Sequence, residues 1–88
     1  MRVIYDQKFL KELEKTPSEV QNKADALLEP LKDEPFHPLL HTKKLKGPLY
    51  GLYSFRVLEY RVIFEVEKPD VVRLLAIRHR KDVYKYKR

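Results

Sequence analysis

Three β-rich runs, Tyr50–Val57, Tyr60–Glu67 and Val71–Ile77, are joined by Leu58-Glu59 and by Lys68-Pro69-Asp70. A parallel crossover needs about a dozen residues, so connections this short admit only antiparallel neighbours. The C-terminal half is thereby committed to a three-stranded meander. Tyr60, Val62, Phe64 and Val66 share one face of its middle strand, and Val72, Leu74 and Ala76 share one face of the last. That apolar face has to be buried against another layer. The N-terminal half supplies it. Arg2-Val3-Ile4-Tyr5 reads as a short first strand, and Asp6 is placed to cap a helix in which Phe9, Leu10 and Leu13 recur at helical spacing. Thr16-Pro17-Ser18-Glu19 predicts a second helix, with the threonine as cap, the proline in first position and Glu19 closing a capping box. Val20, Ala24, Leu27, Leu28 and Leu31 mark its buried face, and Pro30 predicts its end or a kink near Glu29. Residues 33–48, with Pro35, Pro38 and Pro48, read as a long connection. The expected architecture is a single α+β domain over 1–88. It has an N-terminal strand, a two-helix antiparallel hairpin, a three-stranded antiparallel meander packed on the helices, and a short C-terminal segment.

Size and composition narrow the function classes. A domain of 88 residues buries roughly 60–65% of its unfolded-chain surface, so modest stability and dependence on a partner are expected. The absence of cysteine removes disulfides, thiol nucleophiles and thiolate metal sites. The longest apolar run, Leu74 to Ile77, is far short of the about 20 residues a membrane span needs. Charges at Arg2, Asp6, Lys8, Lys11 and Glu12 leave no room for a signal-peptide core. A soluble, cytoplasmic protein with no membrane partner is expected. The net charge is +6, and it is unevenly placed: residues 1–36 hold six Lys/Arg against eight Asp/Glu, residues 37–88 thirteen against five. A surplus confined to the meander and tail points to a polyanionic partner, with a merely solubilising surface as the plain alternative.

The meander also carries a pairing that packing does not favour. With Leu58-Glu59 as a two-residue turn, Val57 faces Tyr60 and Arg56 lies directly opposite Arg61. Like charges in that relation destabilise a sheet, and an anion held between two guanidinium forks relieves the cost. The alternative is that both side chains splay into water. Aligning Glu67 with Val71 pairs Glu65 with Arg73 and Ile63 with Leu75, and puts His79 on the face of Arg56 and Arg61. Arg80 joins them if the strand breaks or bulges near Arg78. From Arg78 to Arg88 six of eleven residues are Lys or Arg, interleaved with Tyr84 and Tyr86. Cations for phosphates and aromatic faces for unstacked bases are the ingredients of single-strand binding, although basic tails are also often just solvated ends. His37 and His41 are four apart, but Pro38 intervenes and no carboxylate sits at ligand spacing, so no metal site is expected. Gly47 and Gly51 make no phosphate-cradling loop, and Ser18 and Ser54 have no nucleophile-elbow context. Metal-free, cofactor-free chemistry on a phosphodiester is what remains.

Nearly the whole chain resembles the RelE toxin family, within the RelE/ParE superfamily of toxin–antitoxin systems. The resemblance rests on the opening strand and helical hairpin, on Leu45-Lys46-Gly47, on Phe55-Arg56-Val57-Leu58-Glu59-Tyr60-Arg61-Val62-Ile63-Phe64, and on His79-Arg80-Lys81-Asp82-Val83-Tyr84. It implies a RelE-like fold and a ribosome-dependent endoribonuclease that cleaves messenger RNA in the decoding site. It also implies a cognate antitoxin, acidic or presenting an amphipathic helix, that wraps the toxin. By the same resemblance Arg61 and Arg80 match two phosphate-stabilising arginines, Arg56 a basic residue on the preceding strand, and Tyr84 a C-terminal aromatic that stacks on a base or moves a proton. His79 matches a more variable position. Lys43, Lys44 and Lys46 match a basic patch that holds RNA, to which Lys81 and Lys85 are added from the tail.

The chemistry implied is attack by the RNA's own 2′-hydroxyl on the adjacent phosphate, which needs neither a protein nucleophile nor a metal. Arg56, Arg61 and Arg80 stabilise the developing charge, and an acid and a base are still required. An imidazole such as His79 titrates in the useful range, and a phenol such as Tyr84 serves where neighbouring cations lower its pKa. Three readings stand at this stage: the ribosome-dependent ribonuclease, a gyrase poison of the ParE kind, and a non-catalytic module that binds RNA or an antitoxin.

Overall fold

The computed structural model describes residues 1–88. The meander forms as the turn lengths demand, from β3 (Tyr53–Val57), β4 (Tyr60–Glu67) and β5 (Val71–His79). Val57 pairs with Tyr60, Arg56 with Arg61, Glu65 with Arg73 and Glu67 with Val71, as the sequence predicts. Leu58 takes φ +56° to make the two-residue turn, a left-handed conformation that costs a branched residue about 1–2 kcal/mol. β1 (Arg2–Tyr5) lies parallel to β5, the helical layer providing the crossover that a parallel neighbour requires. The sheet has five strands rather than four, in the order β1-β5-β4-β3-β2. The extra strand, β2 (Lys43–Lys44), lies inside the long connection and pairs antiparallel with β3. Two lysines carry no alternating apolar pattern, so nothing marks them as a strand. β3 starts three residues later than expected, because a 3-10 turn at Gly47–Leu49 and Gly51, at φ +94°, occupy the approach to it.

The helices differ from expectation in their ends. α1 spans Gln7–Glu14, and the second helical stretch is two helices, α2 (Ser18–Ala26) and α3 (Leu28–Asp33). The break falls at Leu27, not at Glu29. Pro30 is the third residue of α3, where an amide hydrogen has no intrahelical partner, so proline is tolerated there. Thr16 does not cap α2. Its hydroxyl donates to the Leu13 carbonyl at 2.7 Å, and Pro17 takes the N-cap position. The Gln21 side-chain amide donates to the Leu13 and Thr16 carbonyls at 3.1 and 3.0 Å, tying α2 to the end of α1. Asp6 is the N-cap of α1 by backbone position, but its carboxylate turns to Arg73 at 3.4 Å.

Packing turns on one irregularity. Ile63 pairs with Ala76 but Phe64 with Leu74, so Leu75 is an extra residue on β5. Before the bulge Val72 and Leu74 face the helices, joining Phe9, Leu27, Leu31, Phe55, Val62 and Phe64 in the main core. After it Ala76 points the other way and Ile77 returns to the helix side, which corrects the expected grouping of Ala76 with Val72 and Leu74; Ile63 pairs with Ala76 rather than Leu75, although Ile63 and Leu75 do share the second face. On the second face Leu45, Leu49, Leu52, Ile63, Leu75, Ala76 and Val83 form a smaller core. Two 3-10 segments, Gly47–Leu49 and Arg80–Lys85, contribute to it. The sheet is therefore buried on both faces, with helices on one and irregular chain on the other.

One ion-pair cluster fixes the parallel edge. Arg73 on β5 donates to Glu67 at 2.9 Å and to Asp6 at 3.4 Å, joining β4, β5 and the start of α1. The hydrogen bond from Arg73 holds the Glu67 carboxyl below its ordinary pKa. Stability from this group is complete above the unfolded carboxylate pKa of about 4.3 and is lost as pH falls through the lowered folded value. Urea unfolding at pH 7 and pH 3 is expected to show a larger acid-induced loss in the wild type than in Glu67→Gln; equal losses contradict the linkage.

Candidate functional site

The end of the second sheet face opens into a cavity of about 370 Å³. Lys43 from β2, Ser54 and Arg56 from β3, Tyr60 and Arg61 from β4, and Arg80 and Tyr84 from the C-terminal 3-10 segment line it, with Leu45, Leu58 and Val83 as its apolar wall. Four cations converge there, and no carboxylate or imidazole is among the lining residues. Such a surface is chemically suited to an anion and offers aromatic area beside it.

Arg61 is the fixed point of the cavity. Its Nε donates to Ser54 Oγ at 2.7 Å, and its Nη2 donates to the backbone carbonyls of His41 and Ser54 at 2.6 and 3.0 Å. These three bonds use the Nε hydrogen and both Nη2 hydrogens and leave the Nη1 hydrogens uncommitted. Ser54 is fully buried, and His41 sits at φ +48°, a left-handed conformation. Partial burial and then the charge of Arg56 lower the Arg61 pKa from the usual guanidinium value, with Tyr84 opposing. The guanidinium remains protonated at neutral pH. It is held rigidly in a place where its charge is poorly compensated.

The other cations are held more loosely. Arg56 projects into solvent, with Nε 3.3 Å from the Leu58 carbonyl. Arg80 is anchored through its amide, which donates to the Glu59 carbonyl at 2.9 Å. Its side chain meets Glu59 at 3.2 Å with both groups more than half exposed. An exposed pair of this kind contributes about 0–1 kcal/mol and yields readily to a phosphate. Tyr84 is 61% exposed and keeps an open ring face.

The structure gathers Arg56, Arg61, Arg80, Tyr84 and Lys43, and leaves His79 out. Because of the bulge, the residue opposite Arg61 on β5 is Arg78, and His79 lies opposite Tyr60 on the other face. Its ring stands edge-on to Tyr60 at 5.5 Å, and its Nδ1 accepts from the Lys81 amide at 3.3 Å, capping the 3-10 segment. Arg78 is neutralised by Glu12 at 2.9 Å, and the same carboxylate accepts from the Ile77 amide at the free edge of β5. Lys44, Lys46, Lys81 and Lys85 are exposed and lie outside the cavity, with Lys85 paired to Asp82 at 3.2 Å. Sequence reasoning missed Ser54 as the seat of Arg61. The signal was available, since a serine opposite Ile63 on β3 has to be satisfied somewhere and lies two residues from Arg56. The His41 carbonyl left no such trace.

A second groove, of about 230 Å³ and mostly apolar, runs between α1 and the α2–α3 pair over Tyr5, Phe9, Leu10, Leu13, Ala24 and Leu28. Leu10 and Tyr5 are partly exposed there.

A family model for the ParE toxin of type II toxin–antitoxin systems, parDE, matches residues 3–84. Toxin RelE3 of Methanocaldococcus jannaschii is 30% identical over 88 residues, 98% of each chain. The RelB–RelE antitoxin–toxin complex from Methanococcus jannaschii aligns with a TM-score of 0.76 at 27% identity, over 94% of this chain and 96% of that one. The archaeal RelE–RelB complex from Pyrococcus horikoshii OT3 gives 0.75 at 28% identity, over 90% and 93%.

Ser54→Ala removes the acceptor of a part-buried charged donor, and an unsatisfied group of that kind costs about 1–3 kcal/mol. Urea unfolding is expected to show that loss. The Arg61 Nε–H is expected to exchange slowly by NMR in the wild type and fast in the variant.

Proposed function

The chain belongs to the ParE toxin family of type II toxin–antitoxin systems, within the RelE/ParE superfamily, and from that premise we propose that it is a ribosome-dependent messenger-RNA endoribonuclease that inhibits translation. The observation that carries this reading is the cavity in which Arg56, Arg61 and Arg80 converge beside Tyr84, with no carboxylate among its lining residues and only the exposed Glu59 paired to Arg80. That arrangement suits a phosphodiester whose charge grows during reaction. In the proposed reaction the ribose 2′-oxygen bonds to the adjacent phosphorus, the bond to the 5′-oxygen breaks, and a 2′,3′-cyclic phosphate and a 5′-hydroxyl result. Arg61 meets a phosphoryl oxygen with its free Nη1 edge, and Arg56 and Arg80 close on the phosphate from either side. Donors fixed in advance where charge develops are commonly the largest catalytic contribution. Tyr84 offers its ring to the flanking base. Lys44, Lys46, Lys81 and Lys85 hold the RNA backbone outside the cavity. His79 serves indirectly, by capping the turn that carries Arg80 and Tyr84.

The partner is a cognate antitoxin, a reading supported by solved relatives that are themselves toxin–antitoxin complexes. The apolar groove beside α1 accommodates the apolar stripe of an amphipathic antitoxin helix. The family description also names ParE, so a gyrase poison is the second reading. Against it stands the arginine–tyrosine cavity, which a purely protein-binding inhibitor does not need.

Programmed ribosomes incubated with the protein are expected to yield messages cut in the decoding site, mapped by transcript ends. Intact message together with gyrase-dependent DNA breaks would transfer the chain to the second reading. Arg61→Ala and Arg80→Ala are each expected to slow cleavage by about 10²-fold or more. Arg80 is exposed, so the Arg80→Ala variant is expected to melt like the wild type. Leu10→Glu is expected to weaken antitoxin binding at least about tenfold by calorimetry and to leave cleavage unchanged.

A further inference from the structure

The cavity holds groups that stabilise charge, yet breaking the bond to the 5′-oxygen also requires a proton donor. On the reading of this cavity as a site of RNA cleavage, we propose that Lys43 is a catalytic residue, the general acid that protonates the departing 5′-oxygen. Its placement follows from register. Lys43 pairs with Ser54 across β2 and β3, so the two side chains share a sheet face, and Ser54 is the residue on which the Arg61 guanidinium rests at 2.7 Å. Lys43 thus rises beside Arg61 into the cavity, whereas Lys44 pairs with Tyr53 and takes the opposite face.

The inventory of the cavity leaves little else. The arginines are very weak acids. Ser54 is buried and engaged with Arg61, and His79 lies on the other face with its Nδ1 occupied. Tyr84 is committed to the flanking base in the reaction proposed above, and the Tyr60 ring stands edge-on to His79. Lys43 is an alkylammonium with no carboxylate within 4 Å, whereas Arg73, Arg78, Arg80, Lys85 and Arg88 all have one. An ammonium is a stronger acid than an alcohol, so proton transfer to an oxygen that is becoming an alkoxide runs downhill. The step is balanced. The 2′-oxygen forms its bond to phosphorus and releases its proton to water at the cavity mouth. The bond between phosphorus and the 5′-oxygen breaks, and that oxygen takes a proton from the Lys43 ammonium. The neutral amine is then reprotonated from water, and the RNA ends as a cyclic phosphate and a free 5′-hydroxyl.

The test uses ribosomes programmed with two messages, one unmodified and one with sulfur replacing the bridging 5′-oxygen at the cleaved junction. A thiolate leaves without protonation, so the sulfur message does not need the acid. Lys43→Arg keeps the charge and removes an effective proton donor. It is expected to lower kcat on the oxygen message by about 10²-fold or more, with KM within about threefold, and to cleave the sulfur message within a few-fold of the wild type. Wild-type kcat for Lys43→Arg on the oxygen message overturns the assignment. So does an equal loss on both messages, which makes Lys43 a binding or structural residue. A wild-type protein that cuts neither message overturns the ribonuclease reading itself, and the assignment falls with it.

Discussion

The cavity depends on a serine hydroxyl buried beneath a guanidinium. Ser54 accepts from Arg61 Nε and supplies a backbone acceptor as well, and the His41 carbonyl takes the remaining Nη2 hydrogen. A cation at that position repels Arg56, directly across the hairpin, and loses solvation through partial burial. Three hydrogen bonds offset those costs and fix the direction of the free edge. The long connection between α3 and β3 acquires a purpose through the same contact. It bends at His41 into a left-handed conformation, delivers a carbonyl to Arg61, and then runs as β2 beside β3. A segment rich in proline is thus part of the site rather than a spacer.

The Leu75 bulge is the second determinant. One extra residue in β5 exchanges the faces of everything after it. Without it His79 would share the face of Arg56 and Arg61; with it, Arg78 takes that face and is spent on Glu12 at the sheet edge. His79 then closes the strand and caps the 3-10 segment, and that segment swings Arg80 and Tyr84 back over the cavity while Val83 seals the second core. The same bulge lets Ala76 and Leu75 bury the second face. Core and cavity on that side share one cause.

Much of this was legible in the residues and some was not, for identifiable reasons. The meander, the two-residue turn and the Arg56–Arg61 pair follow from turn length and alternation alone, which are short-range and hard to satisfy otherwise. Arg61 was marked by a like-charge pairing that packing does not favour, and Arg80 and Tyr84 by the basic, tyrosine-interleaved tail and the family resemblance. The bulge was invisible, because Leu74-Leu75-Ala76-Ile77 is apolar at every position and carries no period to break. That uniformity misplaced Ala76 and His79. The cap at Thr16 failed because its hydroxyl found the Leu13 carbonyl, a competing local bond that the same residue type offers. β2 went unseen because an edge strand of two lysines is recognised by its neighbour, not by its own pattern.

The cations of the cavity are graded in freedom, a grading that would suit the phosphoryl chemistry proposed above. Arg61 is fixed by three bonds, Arg56 by one long contact, and Arg80 by a solvent-exposed pair that a stronger anion displaces. A site in which every cation was locked by a carboxylate would have to break those pairs on binding. One in which none was fixed would lose the ordering entropy of each side chain, about 1.5–2 kcal/mol for an arginine. Fixing one guanidinium on a neutral serine avoids both costs, because the hydroxyl orients the charge without cancelling it. The uncompensated repulsion that remains between Arg56 and Arg61 disfavours the empty site and would be relieved by a phosphate between them. The same imbalance makes the free protein less stable than its core alone would allow, and solved relatives include RelB–RelE antitoxin–toxin complexes. On the reading proposed above an antitoxin helix has its own place, the apolar groove beside α1, on the helix side of the sheet and away from the arginines. A helix seated there would leave the charge of the cavity intact, because the groove and the cavity share no lining residue.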